Sequence, residues 1–412
     1  MILIKGIGTS PYVSVGKVKK IHKIEDLADI EGGEIIVLSR AARDMLSYLR
    51  QASAVVTDYG GITSHAAIVL RELKIPCIVG TGNATQILQD DHIVTVDGKT
   101  GNIYDGFIEI EEEIDYLELF NPATNIKVNL NIPEIAGEVA PLSDGVGSIR
   151  IENIIIRTGK HPTRLLDENK LTNIIVKGVK GIVDAFYPKP VWFRTFDILS
   201  DELTHLKGGL VEKREKNPLL GFRGIYKDLN NTEILNAEFE AVKEIIDSGY
   251  DNIAIKIPFV RDISEYILAR NLLKDVGLKP HKDIKLGVSI ETPSSALLID
   301  DFIKEGIDFV SIGMSDLTMA ILAVDRRSVR VAKHFNLIHP AILNTTKFVI
   351  HKCLKNEIES CVCGYAATDA EIVRKLVEYG ITSISTNPDQ ILKMRKIVEN
   401  IENSIILKGF SK

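Results

Sequence analysis

From residue 126 onward the sequence alternates between two hydrophobic periodicities, and this alternation limits the folds open to it. Eight short runs read as buried strands: KVNLNI (127–132), GSIRIE (147–152), VWFRTFD (191–197), IAIKIPFV (253–260), KLGVSIE (285–291), FVSIGMS (309–315), ESCVCGY (359–365) and SISTN (383–387). Between them lie stretches with apolar residues at helical spacing, such as EFEAVKEIIDSGY (238–250), SSALLIDDFIKEG (294–306) and DAEIVRKLVEYG (369–380). Eight βα units of about 30 residues each match a (β/α)8 barrel. An open doubly wound sheet is the competing architecture. No glycine-rich phosphate loop follows the first strand, however, and a count of eight favours closure.

The first part of the chain has a different rhythm. EIIVL (34–38) and AVVTD (54–58) read as buried strands, HAAIVLREL (65–73) as a helix and IPCIVG (75–80) as another strand. HIVTVDGKTGNIYDG (92–106) reads as a hairpin around Asp97-Gly98. The acidic stretch FIEIEEEIDYLELFNPATN (107–125) looks like a solvated linker. The expected α/β organisation is a small β-rich domain over 1–108, a linker over 109–125 and a barrel over 126–412. A formal net charge of -6 argues against binding driven by nucleic-acid phosphates. No apolar run approaches membrane-spanning length, and MILIKGIGTS is not a signal peptide. Four cysteines in 412 residues make no disulfide framework, which points to a reducing cytoplasm. Cys361 and Cys363 read as neighbours on one strand, and no second CxC or CxxC pair accompanies them to suggest zinc.

The sharpest local signal is TDYGGITSHAAIVLREL (57–73). A strand ends at Asp58, Gly60-Gly61 permit a tight turn, and Thr63 and Ser64 can cap a helix that begins at His65. A histidine there sits at the positive end of the helix dipole, beside unpaired N–H groups that would stabilise an anionic phosphoryl group. Imidazole is a good nucleophile near neutral pH, and its phosphoramidate is a high-energy donor. A lone histidine at a helix start more often caps or packs than reacts.

The ends of the barrel strands are unusually polar. Arg150 and Glu152 close the second, Arg194 and Asp197 the third, Glu291 the fifth and Asp316 the sixth, while Cys363 sits on the seventh. Catalytic residues of such barrels come from the C-terminal ends of several strands. Glu291 and Asp316, one unit apart, would sit side by side at that rim, an arrangement suited to Mg²⁺ with waters and substrate oxygens. Arginine's planar fork suits carboxylate and phosphate. For any one of these residues a rim salt bridge is the simpler role.

Several segments together resemble the PEP-utilising enzymes, the family of phosphoenolpyruvate synthase, pyruvate phosphate dikinase and enzyme I of the sugar phosphotransferase system. They are TDYGGITSHAAIVLRELKIPCIVGTGNAT (57–85), VTVDGKTGNIY (94–104), GVGSIRIENII (145–155), AFYPKPVWFRTFD (185–197) and NPLLGFRG (217–224). IPFVRD (257–262), ETPSSALLIDDF (291–302), SIGMSDLT (311–318) and VCGYAATDAE (362–371) continue the match. RTFD and NPLLGFRG point to the synthase branch. The resemblance implies a swivelling phosphohistidine domain followed by a TIM barrel that binds pyruvate or phosphoenolpyruvate. It implies that His65 carries the phosphoryl group and that Arg150, Arg194 and Arg223 hold phosphate and carboxylate oxygens. Glu291 and Asp316 would bind Mg²⁺, with Gly313, Met314, Ser315 and Asp316 as substrate contacts. Cys363 would move the proton at the pyruvate methyl carbon. Thr63 matches a threonine that is phosphorylated in some bacterial members; capping the helix is an equally good role for it.

The sequence departs from the family at Ser315 and Met319, where Asn and Gln are usual, and at GYAATDA (364–370), which replaces a GQGPSDH-like loop. No nucleotide-binding region is evident. Three readings follow: a subunit that needs a separate ATP-grasp partner, a carrier that autophosphorylates from phosphoenolpyruvate, and a non-catalytic regulatory homologue. The intact His65, Glu291, Asp316 and Cys363 argue against the third. A homodimer through the barrel is a further expectation from the resemblance.

Overall fold

The computed structural model describes residues 1–42, 45–62, 64–108, 121–328 and 330–410. Thr63 and most of the expected linker, 109–120, lie outside the described residues. The chain divides into two compact units, Met1–Leu117 and Glu118–Lys412.

The first unit is a mixed sheet of β1 (Ile2–Lys5), β2 (Ile7–Gly8), β3 (Val13–Ile21), β4 (Ile35–Leu38), β5 (Ala54–Thr57), β6 (Cys77–Val79), β7 (Ile93–Asp97) and β8 (Asn102–Asp105). Their order is β1-β8-β7-β3-β4-β5-β6-β2. β3 joins two kinds of sheet. Val13–Lys17 pairs antiparallel with β7, and Val18–Ile21 pairs parallel with β4. The parallel half is buried on both faces, which explains its uninterrupted apolar runs. Ile36, Leu38 and Val55 pack with Ala67 and Leu70 of the helix His65–Glu72. Ile35, Val37, Ala54 and Val56 pack on the other side with Ile78, Val94 and Val96.

The expected hairpin forms between β7 and β8. The Asp97 carboxylate accepts from the backbone N–H groups of Lys99 (2.9 Å) and Thr100 (3.1 Å). Gly101 closes the turn at φ +76°, where a Cβ would meet the Gly6 carbonyl oxygen at 2.3 Å.

The second unit is a closed barrel of eight parallel strands: β9 (Asn125–Leu130), β10 (Val146–Arg150), β11 (Val191–Arg194), β12 (Ile253–Ile257), β13 (Lys285–Ile290), β14 (Phe309–Ile312), β15 (Glu359–Cys363) and β16 (Ser383–Thr386). All eight expected strands are present, and β16 closes the ring against β9. Several stop short of the expected ends. Glu152 opens the helix Glu152–Ile156, and Asp316 lies in the first turn of the helix Met314–Leu322, so neither closes a strand. β12 stops at Ile257 because Pro258 follows and Phe259 takes a left-handed φ of +50°.

The barrel interior is layered by depth. At the lower level Trp192, Ala254, Phe309 and Cys361 form an apolar cluster, with the Trp192 and Phe309 rings stacked at 3.9 Å. Lys127 enters this level with its ammonium 3.7 Å from the Trp192 ring and 2.6 Å from Glu359 Oε1. Above it the interior turns polar. Ser385 Oγ donates to Asn129 Oδ1 (2.8 Å), and Lys256 and Ser311 are both buried.

Gly287 of β13 is where the lower layer is tightest. A Cβ there would lie 2.5 Å from both the Phe309 ring and the Phe309 carbonyl oxygen. The backbone oxygen cannot swing away, so overpacking must move the strand. Gly287→Ala should therefore lower stability by about 1–3 kcal/mol, read as a shift of the urea midpoint.

Candidate active site

The helix that carries His65 starts where the sequence places it. Its N-cap is Ser64, whose Oγ accepts from the Ala67 N–H at 3.3 Å. The loop before it is anchored by buried Asp58. That carboxylate accepts from Thr81 Oγ1 (3.1 Å), the Thr85 N–H (3.2 Å) and Thr85 Oγ1. His65 is the first residue of the eight-residue helix; its side chain lies outside what the structure describes.

At the barrel mouth the strands deliver three arginines and several carboxylates. A register shift in β10 lets Arg150 pair with Arg194 of the neighbouring strand, so both side chains project from the same face of the sheet. Arg194 ion-pairs with Glu152 and reaches Asp197 Oδ2 at 3.5 Å. Arg223 grips Asp197 with two parallel bonds, Nε to Oδ1 at 2.9 Å and Nη2 to Oδ2 at 2.6 Å. Its Nη1 donates to Asp316 Oδ1 (3.4 Å) and to the Leu219 carbonyl (3.5 Å). Beneath it lies the Phe259 ring, 4.0 Å from the guanidinium. Arg326 reaches Asp316 Oδ1 from the other side at 3.2 Å.

Glu291 follows β13 and is buried. Its Oε2 accepts from the Phe259 N–H at 2.8 Å. The backbone of Gly313 lies against it, and a Cβ at Gly313 would meet Glu291 Cγ at 2.5 Å. Burial, then the neighbouring Asp316 and Asp197 carboxylates, push the Glu291 carboxyl up from its ordinary range. Gly313 is the N-cap of the helix Met314–Leu322, so the N–H groups of Met314, Ser315 and Asp316 open towards the mouth without helical partners. The Met314 side chain is buried in the hydrophobic core, which leaves its backbone N–H as the part that can meet a ligand.

Cys363 ends β15, half-buried, and accepts a hydrogen bond from Ser311 Oγ at 3.5 Å. Cys361 lies one strand repeat deeper, where burial pushes its thiol up to about 12. Among the described residues no group of three or more His, Cys, Asp or Glu side chains is placed to hold a metal ion. Glu291 and Asp316 thus supply two carboxylate groups at most. That fits Mg²⁺, which keeps several waters and takes one or two carboxylates.

Sequence reasoning named Glu152 and Asp197 as strand ends but gave them no role, although they hold the arginines. It missed Arg326, which lies in a loop with no periodic signal. It also missed Lys256, whose signal was a lone charge inside the apolar run IAIKIPFV. Burial opposes ionisation of Asp197, yet Arg223 and then Arg194 hold its carboxyl well below the ordinary range. Asp197→Asn would leave two buried guanidinium groups short of their counter-charge. A loss of about 3–5 kcal/mol at neutral pH is expected in chemical denaturation. Because the folded carboxyl is depressed, its contribution is present above an unfolded value of about 4. The gap to wild type should narrow as the pH falls below that.

Residues 30–101 match the family described as "PEP-utilising enzyme, mobile domain", and residues 109–403 match "PEP-utilising enzyme, PEP-binding domain". The chain is 41% identical to the "Phosphoenolpyruvate synthase" of Pyrococcus furiosus, over 98% of this chain and 51% of that protein. It is 42% identical to the "Probable phosphoenolpyruvate synthase" of Archaeoglobus fulgidus, over 100% of this chain and 56% of the relative. A protein of the same name from Methanocaldococcus jannaschii is 44% identical over 84% of this chain and 30% of its own length. The chain thus spans about half the length, or less, of these curated relatives. With a mixed-sheet unit that matches the mobile domain and a closed barrel that matches the PEP-binding domain, the chain belongs to the PEP-utilising enzymes.

Proposed function

We propose that this chain moves a phosphoryl group between His65 and pyruvate/phosphoenolpyruvate, with the barrel mouth as the substrate site. The observation that carries the reading is the state of the arginines. Arg223 has its donors engaged by Asp197, Asp316 and Leu219. By contrast, Arg150 Nε and Arg194 Nε are buried N–H donors with no hydrogen-bond partner. Such donors are costly unless an anion meets them, and a carboxylate or phosphate does so in fork geometry.

In the direction of phosphoenolpyruvate formation, the methyl C–H proton of pyruvate goes to Cys363 and the electron pair moves onto the carbonyl oxygen. That oxygen then forms the O–P bond as the P–N bond to His65 breaks. Arg150 and Arg194 orient the substrate anion and offset the charge that develops on oxygen. Arg223 locks Asp197 and Asp316 in place. Glu291 and Asp316 are the residues that would hold Mg²⁺, which when bound would supply positive charge to offset negative charge on the substrate.

Purified protein incubated with Mg²⁺ and phosphate-labelled phosphoenolpyruvate should become labelled in an acid-labile, base-stable form and release pyruvate. His65→Ala should show neither; label that persists in this variant would remove His65 from the role. Cys363→Ala should lose exchange of pyruvate methyl protons with solvent by about 100-fold or more, followed by proton NMR. Undiminished exchange would take the proton step away from this thiol.

A further inference from the structure

Two lysines are buried inside the barrel, and only one has an evident counter-ion. Lys127 pairs with Glu359 at 2.6 Å. Lys256, 1% exposed, has no carboxylate within ion-pair distance among the described residues. An apolar side chain of similar volume would avoid the cost of burying that ammonium. Its neighbours come from five strands or strand ends. β10 supplies the Gly147 carbonyl, which accepts from Lys256 Nζ at 2.8 Å. β14 supplies Ser311 Oγ, which accepts at 3.4 Å. The charged and titratable groups facing it are Arg194 from β11, Glu291 after β13, and Cys361 and Cys363 from β15.

Ser311 links the lysine to the thiol. Lys256 Nζ donates to Ser311 Oγ, and Ser311 Oγ donates to Cys363 Sγ. Both donors point the same way, so positive charge is directed along the chain and ends on sulfur. That polarity favours a sulfur that carries negative charge. We propose that Lys256 is a positioning residue for Cys363: acting through Ser311, its ammonium favours the thiolate, the form able to accept the substrate proton.

This rests on the reading of Cys363 as the proton carrier. It also gives the polar middle layer of the barrel a purpose that packing does not. Burial pushes Lys256 down to about 8, so the ammonium is charged at neutral pH and fades just above it. The deeper Cys361 thiol, pushed up to about 12, stays protonated over that range and adds no competing charge.

Cys363 reactivity tests the idea without substrate or turnover. The rate of iodoacetamide alkylation is measured against pH on the full chain, with mass spectrometry separating Cys363 from Cys361. Lys256→Met should move the half-maximal pH for Cys363 upward by about one unit or more, and slow alkylation about tenfold at neutral pH. Ser311→Ala keeps the ammonium and removes the bridge, so it should shift the profile the same way by less. A folded Lys256→Met protein with the wild-type profile would overturn the proposal. Should that variant fail to fold, a wild-type profile in Ser311→Ala overturns it equally. An unchanged profile alongside lost proton exchange in Cys363→Ala sinks only the role of Lys256. A shifted profile alongside retained exchange in Cys363→Ala sinks the proton-carrier reading.

Discussion

The barrel mouth depends on the two-bond grip of Asp197 on Arg223. Both groups are buried, and each is tolerated only because the other is there. From that pair the rest of the charge pattern extends outward. Arg223 reaches Asp316, Arg194 spans Glu152 and Asp197, and the Glu152 carboxylate also accepts from the Asp197 N–H at 2.9 Å. The network joins the ends of β10 and β11, the loop at 217–224 and the helix Met314–Leu322. None of these is adjacent to all the others in sequence. Once so tied through its Glu152 and Asp197 contacts, Arg194 cannot turn its remaining Nε donor away to find a partner. The charge stabilisation proposed above needs donors held in place beforehand, and the ion pairs around Arg194 and Arg223 supply that restraint.

The acidic residues around that network are graded by what they face. Asp197 stays ionised because two guanidinium groups outweigh its burial. Asp228 and Glu238 lie behind it with less cationic support. Burial pushes both well above the ordinary carboxyl range, aided by Asp197 in the first case and by Asp228 in the second. Glu238 still anchors the chain, since its Oε2 accepts from the Phe196 N–H at 3.2 Å. One cluster of acids therefore contains both charged members that shape the mouth and members that burial drives towards the protonated form. The difference follows from distance to Arg223 and Arg194 rather than from residue type.

Much of this was legible in the sequence, for physical reasons. Parallel strands covered on both faces must be continuously apolar, so all eight barrel strands stood out from 127 to 387. Strand ends were less legible, because polarity alone does not say whether Glu152 or Asp316 ends a strand or starts a helix. Phe259 illustrates the limit. Its left-handed backbone ends β12 and presents its N–H to Glu291, and no periodicity announces that. The first 33 residues were read only as the start of a domain. β3 there is largely half-buried, and VSVGKVKKI carries lysines that blur its alternation. The role of Lys256 was hidden in the opposite way. A charge within an apolar run marks an inward-facing polar group, but only the closed barrel shows that Ser311 and Cys363 are what it meets.

Depth in the barrel decides what each side chain can do, and the two cysteines of β15 make the point. They lie two residues apart on the same face of one strand, so a single repeat of the pleat separates them. Cys361 falls in the layer of Trp192, Ala254 and Phe309, where a thiolate would have no solvation and the thiol is simply a small apolar filler. Cys363 falls in the layer of Lys256 and Ser311, below the arginines and the Glu291–Asp316 pair. The same chemical group packs among apolar side chains in one layer and accepts a hydrogen bond from Ser311 in the next. A fold that stacks its interior in layers can therefore carry a reactive site on top of a core by changing the polarity of one layer. The parallel closed sheet below supplies the rigidity, and the residues above it supply the charge.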